Sequence, residues 1–259
     1  MPYMLSCDST TDLTLAQYAA LDLHYVSLHF LLDGKEYPDD YGQSLPMKTF
    51  FDAMAAGATT GTSQVTTGEF ELYFRQFLEQ GSDILHVSLS SGLSGCYHSA
   101  CAARDMLLEE FPERKILTVD TYSASLAEGI VVMRAVECRK EGLSIDETYQ
   151  ILPALRHRIA QIFTVGDLRY LKRTGRLSNL EAAVGTGLQI KPLLKGDPQG
   201  KIVCFARPRG RKLSIRELAA QYAEHVVSPE TQTIGIAHAD CPEDAALLKS
   251  LIEKTLPPR

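Results

Sequence analysis

Two clusters of small hydroxyl residues carry the chemistry this chain could do: Thr62-Ser63-Gln64 and Ser90-Ser91-Gly92-Leu93-Ser94-Gly95. Each is expected in a loop that opens a helix. Short hydroxyls that donate, glycines that let backbone come close, and the free N–H groups of a helix start together form a cradle for an anion. Neither cluster brings a general base, a metal-ligand set or the lysine of a phosphate loop. What remains is a site that holds an acidic head group and does not attack it. Plainer roles stay open. Ser90, Ser91 and Ser94 can simply cap a helix, and Thr62, behind the aperiodic run 57–61, can lie in a solvated loop.

Other residue types were weighed the same way. Asp8-Ser9-Thr10-Thr11-Asp12 offers carboxylates to a metal, but Asp and Ser after a strand more often make turns and caps. Gly92-Leu93-Ser94-Gly95-Cys96 is not a G-x-S-x-G nucleophile elbow, because Cys96 stands in the last glycine's place. The seven histidines show no ligand spacing; His238, at the end of an expected strand, is the one that could reach a pocket. Residues 196–201 resemble a phosphate loop only superficially and read as a hairpin turn. Arg207-Pro208-Arg209-Gly210-Arg211-Lys212 is either a solvated helix start or a contact for phosphate or an acidic partner. Six cysteines without a C-x-x-C pair read as buried reduced thiols. No metal and no cofactor is expected.

The elements that must position these residues follow from pattern. A chain of 259 residues, 45% hydrophobic and 22% charged, can bury a large core as one big or two modest domains. The net charge of −6 argues against general binding to nucleic acid or acidic membrane. The first residues read as a strand and not as a signal peptide, and no apolar run reaches the ~18 residues of a membrane span. A cytoplasmic location is the expectation.

Strands are expected at residues 3–7, 24–32, 83–89 and 115–119, with Asp33-Gly34 turning a hairpin. Helices are expected at 13–20, 46–56 (capped by Ser44), 69–79, 95–110, about 123–140, and from Ser144 to about 158 with a kink at Pro153. Thr66-Thr67-Gly68-Glu69 and Ser144-Ile145-Asp146-Glu147 are capping boxes. This alternation implies a parallel sheet flanked by helices in an N-terminal domain, residues 1–159. Residues 160–259 change character: a strand at 161–165, a short helix at 167–172, a hairpin from 189–194 and 201–207, an amphipathic helix through Ile215 to Val226, a strand at 233–237 and a closing helix at 242–256. They are read as a smaller α/β domain with a mixed sheet.

In series, these segments resemble the DegV family of bacterial fatty-acid-binding proteins. The matching stretches are Asp8-Ser9-Thr10-Thr11-Asp12-Leu13, Thr62-Ser63-Gln64, Ser90 through Tyr97, Val119-Asp120-Thr121, Asp167 through Arg176, Ile190-Lys191-Pro192-Leu193-Leu194 and Arg209-Gly210-Arg211-Lys212. The resemblance implies a two-domain α/β carrier, not an enzyme, with a long-chain fatty acid such as palmitate buried between the domains. It implies that Thr62 and Ser94 hold the carboxylate, with Ser63 and Gly95 supporting the cradle. It further implies delivery of the acid to a separate ATP-dependent fatty acid kinase that makes an acyl phosphate, with Arg209 near phosphate or the kinase. Phe163, Leu168, Leu171, Ile190 and Leu193 are candidates for the apolar wall. Thr174 and Val65 stand where the family usually has glycine and proline, and the family's later His-x-Gly-Pro-Gly loop has no counterpart before Arg259. From another class, the alternative is an enzyme on a phosphorylated or carboxylated small metabolite, using the same hydroxyls with Arg209 or Arg211. A third is a regulatory module reading residues 207–212 against an acidic partner.

Overall fold

β1 (Met4–Asp8) is buried at every position, as is β6 (Ile84–Ser88). Strands covered on both faces belong to the middle of a parallel sheet. The computed structural model, which describes residues 3–177 and 190–258 and omits the side chains of residues 169, 172 and 173, shows that sheet. Its order is β2 (His24–Val26), β1, β6, β7 (Ile116–Asp120), all parallel.

Successive side chains along a strand point to opposite faces, and the two faces feed two cores. Leu5, Cys7, Leu85 and Val87 pack with Tyr18 of α1 (Leu15–Leu21), Val131, Val132 and Val136 of α5 (Leu126–Lys140), and Ile145 of α6 (Ile145–Ile151). Met4, Ile84 and Ile116 pack with Phe70, Phe74 and Leu78 of α3 (Thr67–Leu78), and with Ala100, Ala103 and Leu107 of α4 (Cys96–Glu110). Both expected capping boxes are present, Thr66 with Glu69 and Ser144 with Glu147. The helix after Ser144 ends at Ile151 and continues as a 3-10 turn over Leu152–His157, where Pro153 can donate no backbone N–H.

A second, antiparallel sheet in the same part of the chain has the order β4 (Lys35–Pro38), β3 (His29–Leu32), β5 (Thr60–Ser63), with α2 (Met47–Ala55) between β4 and β5 in sequence. Asp33 and Gly34, at φ 49° and 79°, make the tight turn that both-positive dihedrals allow. Three expectations are corrected here. Residues 24–32 are not one strand: β2 joins the parallel sheet, β3 the antiparallel one. The chain switches at Leu28, whose N–H goes to Ser9 Oγ and whose carbonyl accepts from Asp39. Ser44 does not cap α2; Pro46 holds that position and Ser44 bonds to Asp40. Thr62 lies in a strand and not in a loop, because its backbone pairs with Phe30.

The chain divides into two units, Met1–Ile159 and Ala160–Arg259. In the second, β8 (Ile162–Thr164), β9 (Leu193–Gly196) and β10 (Ile202–Ala206) form a sheet in the order β10-β9-β8. Its ladders run antiparallel; the parallel contact among the described residues is the bridge Leu177–Ile202. Asp197 Oδ1 accepts the N–H groups of Gln199 and Lys201 and closes the hairpin turn at residues 196–201. α7 (Leu168–Thr174), α8 (Arg211–His225) and α9 (Pro242–Thr255) complete the described helices. Gln189, the expected first residue of the hairpin, lies outside the described residues. The expected strand at 233–237 is not there. Its side chains alternate between half-buried and exposed, but no ladder partner is described, and a strand exists only where a ladder closes.

Phe74 has no exposed surface and touches the core beneath β6. Phe74→Ala is expected to lower the unfolding free energy by about 3–5 kcal/mol, measured by urea titration of the full chain.

Candidate functional site

The loops after β1, β6 and β7 leave the carboxyl edge of the parallel sheet, where ligands of open α/β sheets usually bind. β1 ends on Asp8 and is followed by a 3-10 turn, Ser9–Thr11. After β6 comes the run Ser90–Gly95 that opens α4, and after β7 the run Thr121–Ser125 that opens α5.

Hydrogen bonds lace these loops into one layer. Asp8 Oδ2 accepts Ser88 Oγ–H and Leu89 N–H, both at 2.8 Å. Ser90 N–H reaches the Ser123 carbonyl at 2.8 Å, and Thr121 gives both its N–H and its hydroxyl to the Ser88 carbonyl. Asp120 Oδ1 accepts from Ser91 N and Tyr122 N. Thr10 Oγ1–H donates to Glu128 Oε2 at 2.7 Å. Gly129 beside it must be glycine: an added Cβ would sit 2.9 Å from the Thr11 carbonyl oxygen. Ser125 holds φ 58° with ψ −147°, a strained state of about 1–3 kcal/mol, and its hydroxyl is bonded to Asp12.

The Ser90–Gly95 loop is itself tight. Ser90 O accepts Leu93 N and Ser94 N, and Ser90 Oγ accepts Gly92 N. Ser94 Oγ accepts the first N–H of α4, from Cys96, and its own hydrogen is directed to Cys96 Sγ at 3.2 Å. Thiol sulfur is a weak acceptor, so an arriving carboxylate is the better partner for that O–H. Burial pushes the Cys96 thiol up to about 11, so it stays protonated and is a poor nucleophile.

The Thr62 segment runs directly past this loop. Gln64 lies against Gly95 so closely that a Cβ on Gly95 would fall 2.2 Å from Gln64 Oε1. Gln64 Nε2 donates to Ser99, and Val65 N–H reaches Cys96 Sγ. The two hydroxyl clusters are therefore neighbours in space. Thr62 is exposed and shares a sheet face with its pairing partner Phe30. Phe30 stacks on Tyr37 at 5.5 Å and meets Phe50 edge-on at 5.0 Å. Ser63 points to the other face, where its hydroxyl donates to Glu36 at 2.7 Å.

In the second unit, Arg209 is exposed and its backbone bridges to Ile190, just before Gly210 caps α8. Phe163, Leu168 and Leu171 are half-buried against the small core, and Ile190 is half-buried as well, whereas Leu193 lies inside at 1% exposure. His238 is exposed, and its Nδ1 accepts Cys241 N–H. Among the described residues, no group of three His, Cys, Asp or Glu side chains could hold a metal ion, and no helix is long and apolar enough to cross a membrane.

Sequence reasoning missed Gln64 as a contact and Glu128 altogether; it weighed His86 only as a histidine without ligand spacing and Asp120 only as part of the Val119-Asp120-Thr121 stretch. Asp8 it weighed only as a turn or metal residue. His86 and Glu128 sit in apolar runs, which is the signal that could have marked them: a charged side chain inside a buried element must have a partner.

The model of the DegV family matches residues 5–259. A DegV domain-containing protein of Clostridium perfringens is 38% identical over 98% of this chain and 88% of its own. A fatty-acid-binding DegV family protein of Thermus thermophilus superposes with a TM-score of 0.83 at 31% identity, covering 100% of this chain and 90% of that one. A DegV family protein of Ruminococcus gnavus, solved with vaccenic acid, gives a TM-score of 0.89 at 26% identity over 100% and 91%.

Burial, with the charge of Asp8 next, holds the Glu128 carboxyl well above the usual carboxylate range, against the pull of Thr10. An acid raised in the folded state supports stability fully below its unfolded value and loses that support as pH rises toward the folded one. Glu128→Gln keeps an oxygen for Thr10 and cannot ionise. Its stability relative to wild type is therefore expected to rise steadily from pH 4.5 to 8. A flat difference in chemical denaturation across that range would refute the assignment of Glu128 as a buried neutral acid.

Proposed function

The chain belongs to the DegV family, and on that premise we propose that it is a carrier that binds a long-chain fatty acid, palmitate being a suitable length, by its carboxylate. Thr62 and Ser94 donate their hydroxyls to the carboxylate oxygens. Gly95 leaves room beside them and Ser63 steadies the strand through Glu36. The observation that supports this reading is the contact of Gln64 with Gly95, which lays the two hydroxyl segments side by side at a helix start. The helix dipole there favours a negative charge. The Thermus thermophilus relative, described as binding fatty acid, supports the ligand class.

The energetics suit a carrier. About 0.8 kcal/mol per methylene puts a sixteen-carbon tail at about 12 kcal/mol gross. Lost freedom and head-group desolvation consume much of this, so affinity depends on the carboxylate finding good donors. Among the described residues the Ser94 hydroxyl is directed to Cys96 Sγ, and that thiol is protonated. We read the bound acid as cargo, presented to a separate ATP-dependent fatty acid kinase, with Arg209 placed for phosphate or the kinase surface.

Native mass spectrometry of protein purified from bacterial cells is expected to show one long-chain acid per chain. Ser94→Ala and Thr62→Ala are each expected to weaken hexadecanoic acid binding about tenfold, as loss of a charge-assisted hydrogen bond does. Full affinity in both variants, with only ligand-free protein in the spectrometer, refutes the reading. For the kinase step, Arg209→Ala is expected to slow acyl phosphate formation by an added fatty acid kinase while the bound acid is retained. An unchanged rate removes Arg209 from that role.

A further inference from the structure

We propose that Asp8 is a positioning residue for the head-group site: by holding the end of β6 it sets where the Ser90–Gly95 loop presents Ser94, and thereby how strongly the protein prefers a carboxylate over a neutral head group. This inference rests on the assignment of Ser94 as a carboxylate donor made above.

Asp8 has no exposed surface, and neither does His86. One carboxyl oxygen takes Ser88 Oγ–H and Leu89 N–H; Leu89 is the last residue before the loop. The other oxygen faces His86 Nε2 at 3.3 Å, and neither of those two atoms has another hydrogen-bond partner. His86 Nδ1 is 2.9 Å from Ser6 Oγ, which is 2.9 Å from Tyr73 OH. The His86 ring stands edge-to-face against Phe70 at 5.2 Å and Phe74 at 5.4 Å, so it cannot turn away. The result is a polar chain through an apolar core, running from Tyr73 to the backbone that begins the loop.

That arrangement is costly for a residue with only a packing role. An apolar side chain of similar size would avoid burying a carboxyl group. Its effect is geometric. Asp8 fixes Leu89 N; the next residue, Ser90, accepts the N–H of Ser94 through its carbonyl. A shift at Leu89 is therefore carried through one tight turn to Ser94. The sheet ladder by itself leaves the Leu89 N–H for a side chain to take, and Asp8 is the side chain that takes it.

The test measures binding of hexadecanoic acid and of 1-hexadecanol to the delipidated full chain, wild type beside Asp8→Ala, Asp8→Asn, Ser88→Ala and Ser94→Ala. The acid-over-alcohol preference is expected to fall about tenfold in Asp8→Ala and about threefold in Ser88→Ala, with alcohol affinity nearly unchanged. Asp8→Asn is expected to keep the preference, because its carboxamide oxygen can receive Leu89 N–H while its NH2 meets His86 Nε2. Equal loss of acid and alcohol binding in Asp8→Ala would mean a purely structural role and overturn the proposal. So would an unchanged preference in Asp8→Ala and Ser88→Ala while Ser94→Ala lowers it. If Asp8→Ala does not fold, Ser88→Ala, which removes only a hydroxyl, decides. An unchanged preference in Ser94→Ala is a different result: it overturns the head-group assignment itself.

Discussion

A parallel sheet ends in a row of backbone groups that its own ladder does not use, and in this protein one buried carboxyl group meets that row at its centre. Asp8 closes β1 and takes the first N–H beyond β6, that of Leu89. Around it, the Ser88 carbonyl takes two donors from Thr121, and Asp120 takes two N–H groups from the neighbouring loops. The loops after β6 and β7 are thus each held by a group from a neighbouring strand, and the loop after β1 by Glu128 of α5. Breaking such a bond leaves a buried polar atom without its partner, at a cost of about 1–3 kcal/mol, so the three loops are coupled to one another. The hydroxyl cradle at the start of α4 inherits its rigidity from this layer.

The second wall of the cradle comes from a thinner part of the fold. α2 has no fully buried residue, and β3 is half-buried throughout. This sheet depends on aromatic contacts of Phe30, Tyr37 and Phe50 and on the hairpin at Asp33-Gly34. Where its strand β5 leaves, Gln64 fits over Gly95, and Val65 is fully buried beside α4. A rigid layer and a lightly packed sheet therefore meet where Gln64 covers Gly95.

Much of the architecture was legible in the residues. Capping boxes at Thr66 and Ser144, the Asp33-Gly34 turn and the buried run before Ser90 each depend on local geometry, and each appears where expected. What failed did so for a common reason. Residues 24–32 look like one strand because apolar character is continuous, yet two sheets share them. Residues 60–63 look like a loop because the run from Gly57 has no apolar periodicity, yet β3 offers a ladder. Residues 233–237 alternate like a strand, yet no neighbour is described. Pairing is decided at a distance, and periodicity cannot report it.

The candidate site divides along the same line. The sequence by itself determined where the hydroxyl clusters fall along the chain and which family the motif series matches. Only the tertiary structure decided that Gln64 touches Gly95, that Ser63 faces away to Glu36, and that Asp8, His86 and Glu128 lie fully buried near the loop that carries Ser94. The physical reason is that a hydroxyl's chemistry is a property of its type. Its direction and its partners depend on contacts between residues dozens of positions apart, made only when the sheet assembles.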